Sequence, residues 1–397
     1  MRVKRLTEKM AYESALFGLE QGEYALPSNY QPTRPRHFKP DRIFLSKGSL
    51  ATLERSRFVE DICRVYPEAS VIECPDIPHN RISLNEKDYF SLFQKGKQTL
   101  VFGEHKSAVR FAEEQGNTCP NYWHFSPYGF CFYNCKYCYL AGTKGVWHFP
   151  AVKIFVNLDE IMREINRVAM GLKKPTAFYL GKLQDGIALD PLTAYSTVLI
   201  PFFARHEFAR QVILTKSTEV DRLLKLNHQG HTILSWSINP PEIISQFEEK
   251  TPSMDERLRA MKQCAEKGYP IRAVLMPIIP VSGWKEIYFQ FLQSLFSQIN
   301  LQRLTLGGIC IYQNAKLLME RKLGYANQVS KNLNDKDKGG DGRIRYSAEL
   351  RIKLYSEIIK IAREIKPGLE IALCLEEPQI WKALKLESGR GQCNCVL

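Results

Sequence analysis

No stretch of the 397 residues approaches the roughly 20 consecutive apolar residues that a membrane span requires. The N-terminus, Met1-Arg-Val-Lys-Arg-Leu-Thr-Glu-Lys-Met10, carries charge with no apolar run behind it and does not read as a signal peptide. Internal repeats are lacking, and acidic residues are in short supply. There are 42 Asp and Glu against 55 Lys and Arg, a formal net charge of +13. That excess favours a polyanionic partner such as nucleic acid, or is simply a basic solvated surface. Eleven cysteines without a secretion signal argue against a disulfide framework. A reducing, cytoplasmic setting with no membrane is expected. The composition, 44% hydrophobic and 24% charged, is that of a globular chain long enough for two domains or one barrel with attachments.

What is present centres on Ser126-Pro-Tyr-Gly-Phe-Cys131-Phe-Tyr-Asn-Cys135-Lys-Tyr-Cys138-Tyr-Leu140. Thiolates this closely spaced can converge on one iron–sulfur cube, and three of them leave one corner of a [4Fe–4S] cluster open to a ligand that is not protein. A structural zinc wants four ligands, usually in two pairs. His124 and His148 would complete such a set, but no second cysteine pair follows at zinc-ribbon distance. Unrelated core cysteines would need no such spacing. The C-x3-C-x2-C pattern, with an aromatic before the third cysteine, resembles the signature of radical S-adenosylmethionine (SAM) enzymes. In that family the open iron chelates SAM. An electron from the cluster then cleaves SAM to methionine and a 5′-deoxyadenosyl radical.

Four regions follow from pattern. Residues 1–40 open on a short helical pattern and become a basic, proline-bearing arm at Tyr30–Pro40, which lies on phosphate or straps the next domain. Residues 41–118 read as a small α/β domain, with strands at 42–45, 70–74 and 99–102 around a helix at 50–66. Over 119–312 the βα alternation becomes regular, with strands at 122–125, 177–183, 211–216, 232–238, 271–279 and 303–311. Helices are expected near 157–173, 190–205, 219–226, 255–268 and 284–298. Parallel strands with crossover helices imply a partial or full (βα) barrel, with chemistry at the C-terminal strand ends. Residues 313–397 comprise a polar loop through Lys331–Arg343, expected to be mobile, then a helix at 347–365 and a strand at 369–375. A Cys393-Asn-Cys395 tail without evident core contacts ends the region.

Several runs in order resemble the spore photoproduct lyase family, radical SAM enzymes that reverse a thymine-dimer lesion in DNA. They are Lys136-Tyr-Cys-Tyr-Leu140, Phe155-Val-Asn-Leu-Asp-Glu-Ile161, Leu214-Thr-Lys-Ser217, Ser235-Trp-Ser-Ile-Asn239, Asp255-Glu-Arg257 and Met276-Pro-Ile-Ile-Pro-Val-Ser-Gly-Trp284. The likeness implies Cys131, Cys135 and Cys138 as cluster ligands. It places Lys216 at SAM's carboxylate, Ser237 at the ribose or carboxylate, Tyr137 against adenine, and Gln184 and Asp185 near the SAM amino group. Tyr139 matches a tyrosine of the family's radical relay. The likeness also implies a DNA or nucleotide substrate and an external electron donor of flavodoxin or ferredoxin type. One departure stands out. The family carries a hydrogen-donating cysteine after its second strand, where this chain has Gly181 and Lys182. The family's lesion-gripping C-terminal hairpin has only a faint counterpart in Gly342-Arg-Ile-Arg-Tyr346. Cys393 and Cys395 would supply the missing thiol, hold a soft ion, or belong to an incidental tail. Other readings keep the radical chemistry but act on a small metabolite or peptide, or use the cluster in a non-catalytic nucleic-acid-binding protein.

Overall fold

Thr232–Ile238 and Ile271–Leu275 form strands buried along their whole length, as parallel strands covered on two faces must be. The computed structural model describes residues 24–397 apart from 144, 147 and 390. The helical pattern expected at the start of the arm lies in residues 1–23, outside the described residues. Strands β1 (Arg42–Ser46), β2 (Ser70–Cys74), β3 (Thr99–Gly103), β6 (Tyr128–Gly129) and β8 (Val152–Phe155) make a five-stranded sheet ordered β2–β1–β3–β8–β6. A second, eight-stranded sheet contains β4 (Val109–Ala112), β5 (Tyr122–Phe125), β9 (Thr176–Leu180), β10 (Ala209–Thr215) and β11 (Thr232–Ile238). It is completed by β13 (Ile271–Leu275), β14 (Arg303–Leu306) and β18 (Glu370–Leu373), in the order β18–β14–β13–β11–β10–β9–β5–β4. Its neighbours run parallel except at β4–β5.

A full barrel is not formed by hydrogen bonds, because the end strands β18 and β4 do not pair. Loop contacts bridge the gap instead. The Thr118 amide and hydroxyl both donate to the Glu376 carbonyl at 2.8 Å, and Trp381 Nε1 donates to the Thr118 hydroxyl at 2.7 Å.

Period-two alternation divides the large sheet. One face sends Phe178, Ile213, Leu234, Trp236 and Leu304 into the main core, with Ile161 and Ile165 of helix Leu158–Leu172 and Leu199 and Phe203 of helix Ser196–Arg205. The other face carries Ala177, Tyr179, Val212 and Ile233, against which Cys395 and Val396 pack. Beside them runs a register row, Leu214–Ser235–Arg272–Arg303–Glu370, across five strands. Two buried guanidiniums side by side repel, and the row answers with acceptors. Arg303 Nε pairs with Glu370 at 2.8 Å, and its Nη1 donates to the Cys393 carbonyl at 2.6 Å. Arg272 Nη1 donates to the Val396 carbonyl at 2.5 Å, and Ser235 Oγ to Asn394 Oδ1 at 2.5 Å. The Cys-x-Cys tail is therefore not free of the core: Cys393 and Asn394 are buried.

Two further expectations need correcting. Residues 219–226 supply only a 3₁₀ turn at Leu223–Lys225, because Arg222 is drawn instead to the carbonyls of Asp190 and Gln31. The polar run 331–343 is not a structureless loop. After helix Gln313–Leu323, β16 (Leu333–Lys338) and β17 (Ile344–Tyr346) form a hairpin, with β15 (Cys310–Ile311) on the far side of β17. Its glycine-rich turn is held by Asp341, which accepts from Arg343 and Arg345. The arm, where described, is a strap: the Thr33 amide donates to the Pro191 carbonyl at 2.9 Å, Arg34 pairs with Glu68, and Arg36 with Glu256. Among the described residues no helix is long and apolar enough to cross a membrane.

Replacing Arg303 by Met removes the donor of both Glu370 and the Cys393 carbonyl. Stability should fall by about 1–3 kcal/mol for each group left unpaired, read as a lower denaturation midpoint at unchanged slope. An unshifted midpoint would show that the tail is not held by this contact.

Candidate active site

The cysteine loop leaves β5 and is shaped by its backbone. Phe130 adopts a positive φ of 63°, and the buried Lys97 ammonium donates to the carbonyls of Cys131, at 2.9 Å, and Tyr133. That ammonium also lies over the rings of Phe93 and Phe130, at 4.8 and 4.7 Å. The short strand β7 (Asn134–Cys135) then pairs antiparallel with β12 (Glu248–Glu249), setting Cys135 opposite Glu248. The three loop cysteines line a cavity of about 280 Å³ at the C-terminal ends of β9, β10, β11 and β13.

Glu248 is the hub of the charged wall. Its Oε2 accepts from Arg257 Nη2 at 2.5 Å, its Oε1 from Lys216 Nζ at 2.8 Å, and the Tyr137 hydroxyl donates to it as well. Lys216 Nζ also reaches Ser237 Oγ at 2.9 Å. Burial pushes the Glu248 carboxyl up, but Arg257 and Lys216 outweigh it and hold the acid down at about 2. Three of the residues expected at a SAM site, Tyr137, Lys216 and Ser237, are thus brought together through a carboxylate that motif reading missed. Arg257 lies in a run already matched, but nothing in the sequence gave it a role. Glu248 has no signal beyond its register with Cys135.

Gln184 and Asp185 reach the same cavity with different commitments. Asp185 is saturated by its own chain: it accepts from Thr215 Oγ1 at 2.6 Å and from the amides of Lys216 at 2.7 Å, Ile187 at 3.2 Å and Ala188 at 3.0 Å. It locks the loop after β9 to the end of β10. Burial raises its carboxyl and those hydrogen bonds oppose the rise. Gln184 is buried too, yet its Nε2 has no partner among the described residues. An orphaned amide on a cavity wall is a donor that a ligand would satisfy.

Gly181, just after β9, has φ +143°, and a Cβ there would lie 2.8 Å from Leu214 Cβ. A side chain is excluded on both counts. Lys182 pairs with Glu114 at 3.4 Å, and its carbonyl accepts from the Tyr139 hydroxyl. Tyr139 borders the cavity with 42% exposure. Cys393 and Cys395 also line this cavity, and so do Cys119 and Cys374, which belong to no motif in the sequence. Arg343 of the β16–β17 hairpin reaches its rim.

Known proteins resemble this chain in sequence and in fold. Spore photoproduct lyase from Geobacillus sp. (strain Y412MC61) is 30% identical over 224 residues, 56% of this chain and 64% of that one. The Bacillus subtilis (strain 168) enzyme is 29% identical over 221 residues, 55% and 62% of the two chains. The matched segments thus span less than two thirds of these relatives. In three dimensions, spore photoproduct lyase complexed with dinucleoside spore photoproduct superposes with a TM-score of 0.73 at 23% identity, over 86% of this chain and 100% of that one. A mutant of that enzyme with bound AdoMet and the same dinucleoside gives 0.73 at 23% identity, over 85% and 99%. The family model described as spore photoproduct lyase matches residues 38–316, a stretch that holds the cysteine loop, Lys216, Ser237 and Glu248, and so the chain belongs to the spore photoproduct lyase family.

Proposed function

We propose that this chain is a radical SAM enzyme acting on a thymine-derived DNA lesion of the spore photoproduct kind. One observation carries the reading: three loop thiols, the Lys216–Ser237 pair and the orphaned Gln184 amide converge on a single cavity. The donor set suits the groups it would hold. Cys131, Cys135 and Cys138 would bind three corners of a [4Fe–4S] cluster. Lys216 and Ser237 would meet SAM's carboxylate and ribose, and Gln184 a further polar group of SAM. When reduced by a flavodoxin- or ferredoxin-type donor, such a cluster supplies the electron that cleaves SAM to methionine and a 5′-deoxyadenosyl radical.

The protein's part is to bind, orient and return hydrogen. Glu248 pins Lys216 in place, so the ammonium is preorganised before SAM arrives. Asp185, with no free oxygen, positions the β10 end on which Lys216 sits. Gly181 leaves no room for a donor thiol, and Tyr139, on the cavity rim, is the group we assign to pass hydrogen to or from the substrate radical. The net charge of +13 and the rim guanidinium of Arg343 suit a phosphodiester substrate.

Anaerobically reconstituted protein should hold about four irons. It should convert lesion-bearing DNA to the repaired strand with SAM and a reductant, as seen by mass spectrometry. SAM cleavage without any DNA product would sink the substrate assignment, and unimpaired cleavage in Cys131→Ala, Cys135→Ala or Cys138→Ala would sink the chemistry.

Lys216→Ala should weaken SAM binding by about 1–3 kcal/mol, the range for a hydrogen bond to a charged group, with the cluster spectrum intact. Calorimetric titration with SAM decides it.

Glu248→Ala should act on the fold as well as the site. It leaves the fully buried Arg257 without its counter-ion, at a cost of about 3–5 kcal/mol in unfolding free energy. A loss of SAM affinity at unchanged stability would confine Glu248 to the site.

A further inference from the structure

Two roles were open to the Cys-x-Cys tail, hydrogen donor and soft-ion ligand, and its neighbours decide between them. Among the described residues, the set of three possible metal ligands whose atoms all lie within 4.8 Å of one another is Cys119, Cys374 and Cys393. The loop cysteines do not form such a set. Cys395 Sγ stands 4.0 Å from Cys393 Sγ but outside that set, so the tail has to shift for it to join the other three. We propose that Cys119, Cys374, Cys393 and Cys395 form a second metal site, a tetrathiolate centre for one thiophilic divalent ion, zinc in the first instance.

The spacing favours a single ion. With Zn–S near 2.3 Å, the edge of a thiolate tetrahedron is about 3.8 Å, close to the Cys393–Cys395 separation. Ligands on the corners of an iron–sulfur cube stand farther apart. The surroundings suit the charge. Ionising four thiols releases four protons and leaves the centre with a net charge of two minus once Zn²⁺ is bound. Arg272 and Arg303 hold the segment that supplies two of those thiols, through the carbonyls of Val396 and Cys393. The Leu375 amide donates to Cys119 Sγ at 3.1 Å, the kind of N–H···S contact that steadies metal thiolates. With Cys395 drawn in as the fourth ligand, no position would be left open to water, as in structural rather than catalytic zinc sites.

The location gives the site its work. Cys119 precedes β5, at one end of the large sheet, and Cys374 follows β18, at the other. Those ends lack a strand-to-strand ladder. An ion bound here would clasp both to the C-terminal segment, closing with metal what hydrogen bonds leave open, and would form part of the cavity wall.

The test separates this centre from the proposed cluster. Full-length Cys131→Ala/Cys135→Ala/Cys138→Ala protein should purify with about one zinc per chain by elemental analysis, since four thiolates fill a zinc shell. In the otherwise native chain, Cys393→Ser/Cys395→Ser should lose that zinc and keep its iron. Cobalt(II) added to chelator-treated protein should give the intense visible bands of a tetrahedral thiolate site, absent from the tail variant. If the tail variant does not fold, alkylation mapping of the native chain still decides. Metal should protect Cys119, Cys374, Cys393 and Cys395, and a chelator should expose them. Absence of zinc from the loop variant, disulfides among these four, or extra iron lost on tail substitution would each overturn the assignment.

Discussion

The carboxylate of Glu248 is the interaction on which the rest of the site depends. It is wholly buried, and a buried anion persists only when paired and hydrogen-bonded. Arg257 and Lys216 supply the charge and Tyr137 a further donor. Because Glu248 also stands in ladder register with Cys135, one ion network ties the cysteine loop to β10, to β11 through Ser237, and to the helix that bears Arg257. The loop carrying the three thiols is thereby held by charge as well as by backbone pairing. Its cation Lys216 is presented to the cavity already oriented.

A second constraint works on the opposite side of the cavity. The face of the large sheet that turns from the helices places two arginines next to each other, and they are compensated by carbonyls of the chain's own C-terminal segment. That segment packs on the face carrying Tyr179 and Val212, a face that strand side chains fill in closed (βα) barrels. It also brings Cys393 and Cys395 to Cys119 and Cys374. Nearby, Gly181 lies against Leu214 in a conformation that side chains rarely adopt, while Cys119, Cys374, Cys393 and Cys395 line the cavity.

Much of this was legible in local pattern. The spacing of Cys131, Cys135 and Cys138 belongs to one loop, so the chemistry of that loop could be read without a fold. The strands at 122–125 and 232–238 and the helix at 284–298 announce themselves by apolar runs and periodicity, because burial acts on each segment as it lies. Lys216 and Ser237 followed from strand ends, where chemistry gathers in such sheets. By contrast, the hairpin at 333–346 reads as a polar loop because Asn334–Lys338 are all polar or charged and glycines follow, and only pairing between strands reveals it.

What the tertiary structure alone decided are the contacts between segments remote in sequence. Glu248 looks like any surface glutamate until the ladder sets it opposite Cys135 and packing removes its water. Asp185 and Gln184, adjacent in the chain, separate into a saturated carboxylate and an unsatisfied amide only when β10 supplies donors to one of them. Cys119 and Cys374 carry no motif, since their partners are on a tail that sequence reading left loose. The sequence by itself determined the thiol loop and the βα alternation, which rest on short-range spacing and burial. The charge pairing around Glu248 and the meeting of four distant thiols needed the folded chain, because electrostatics and ligation act through space and not along the backbone.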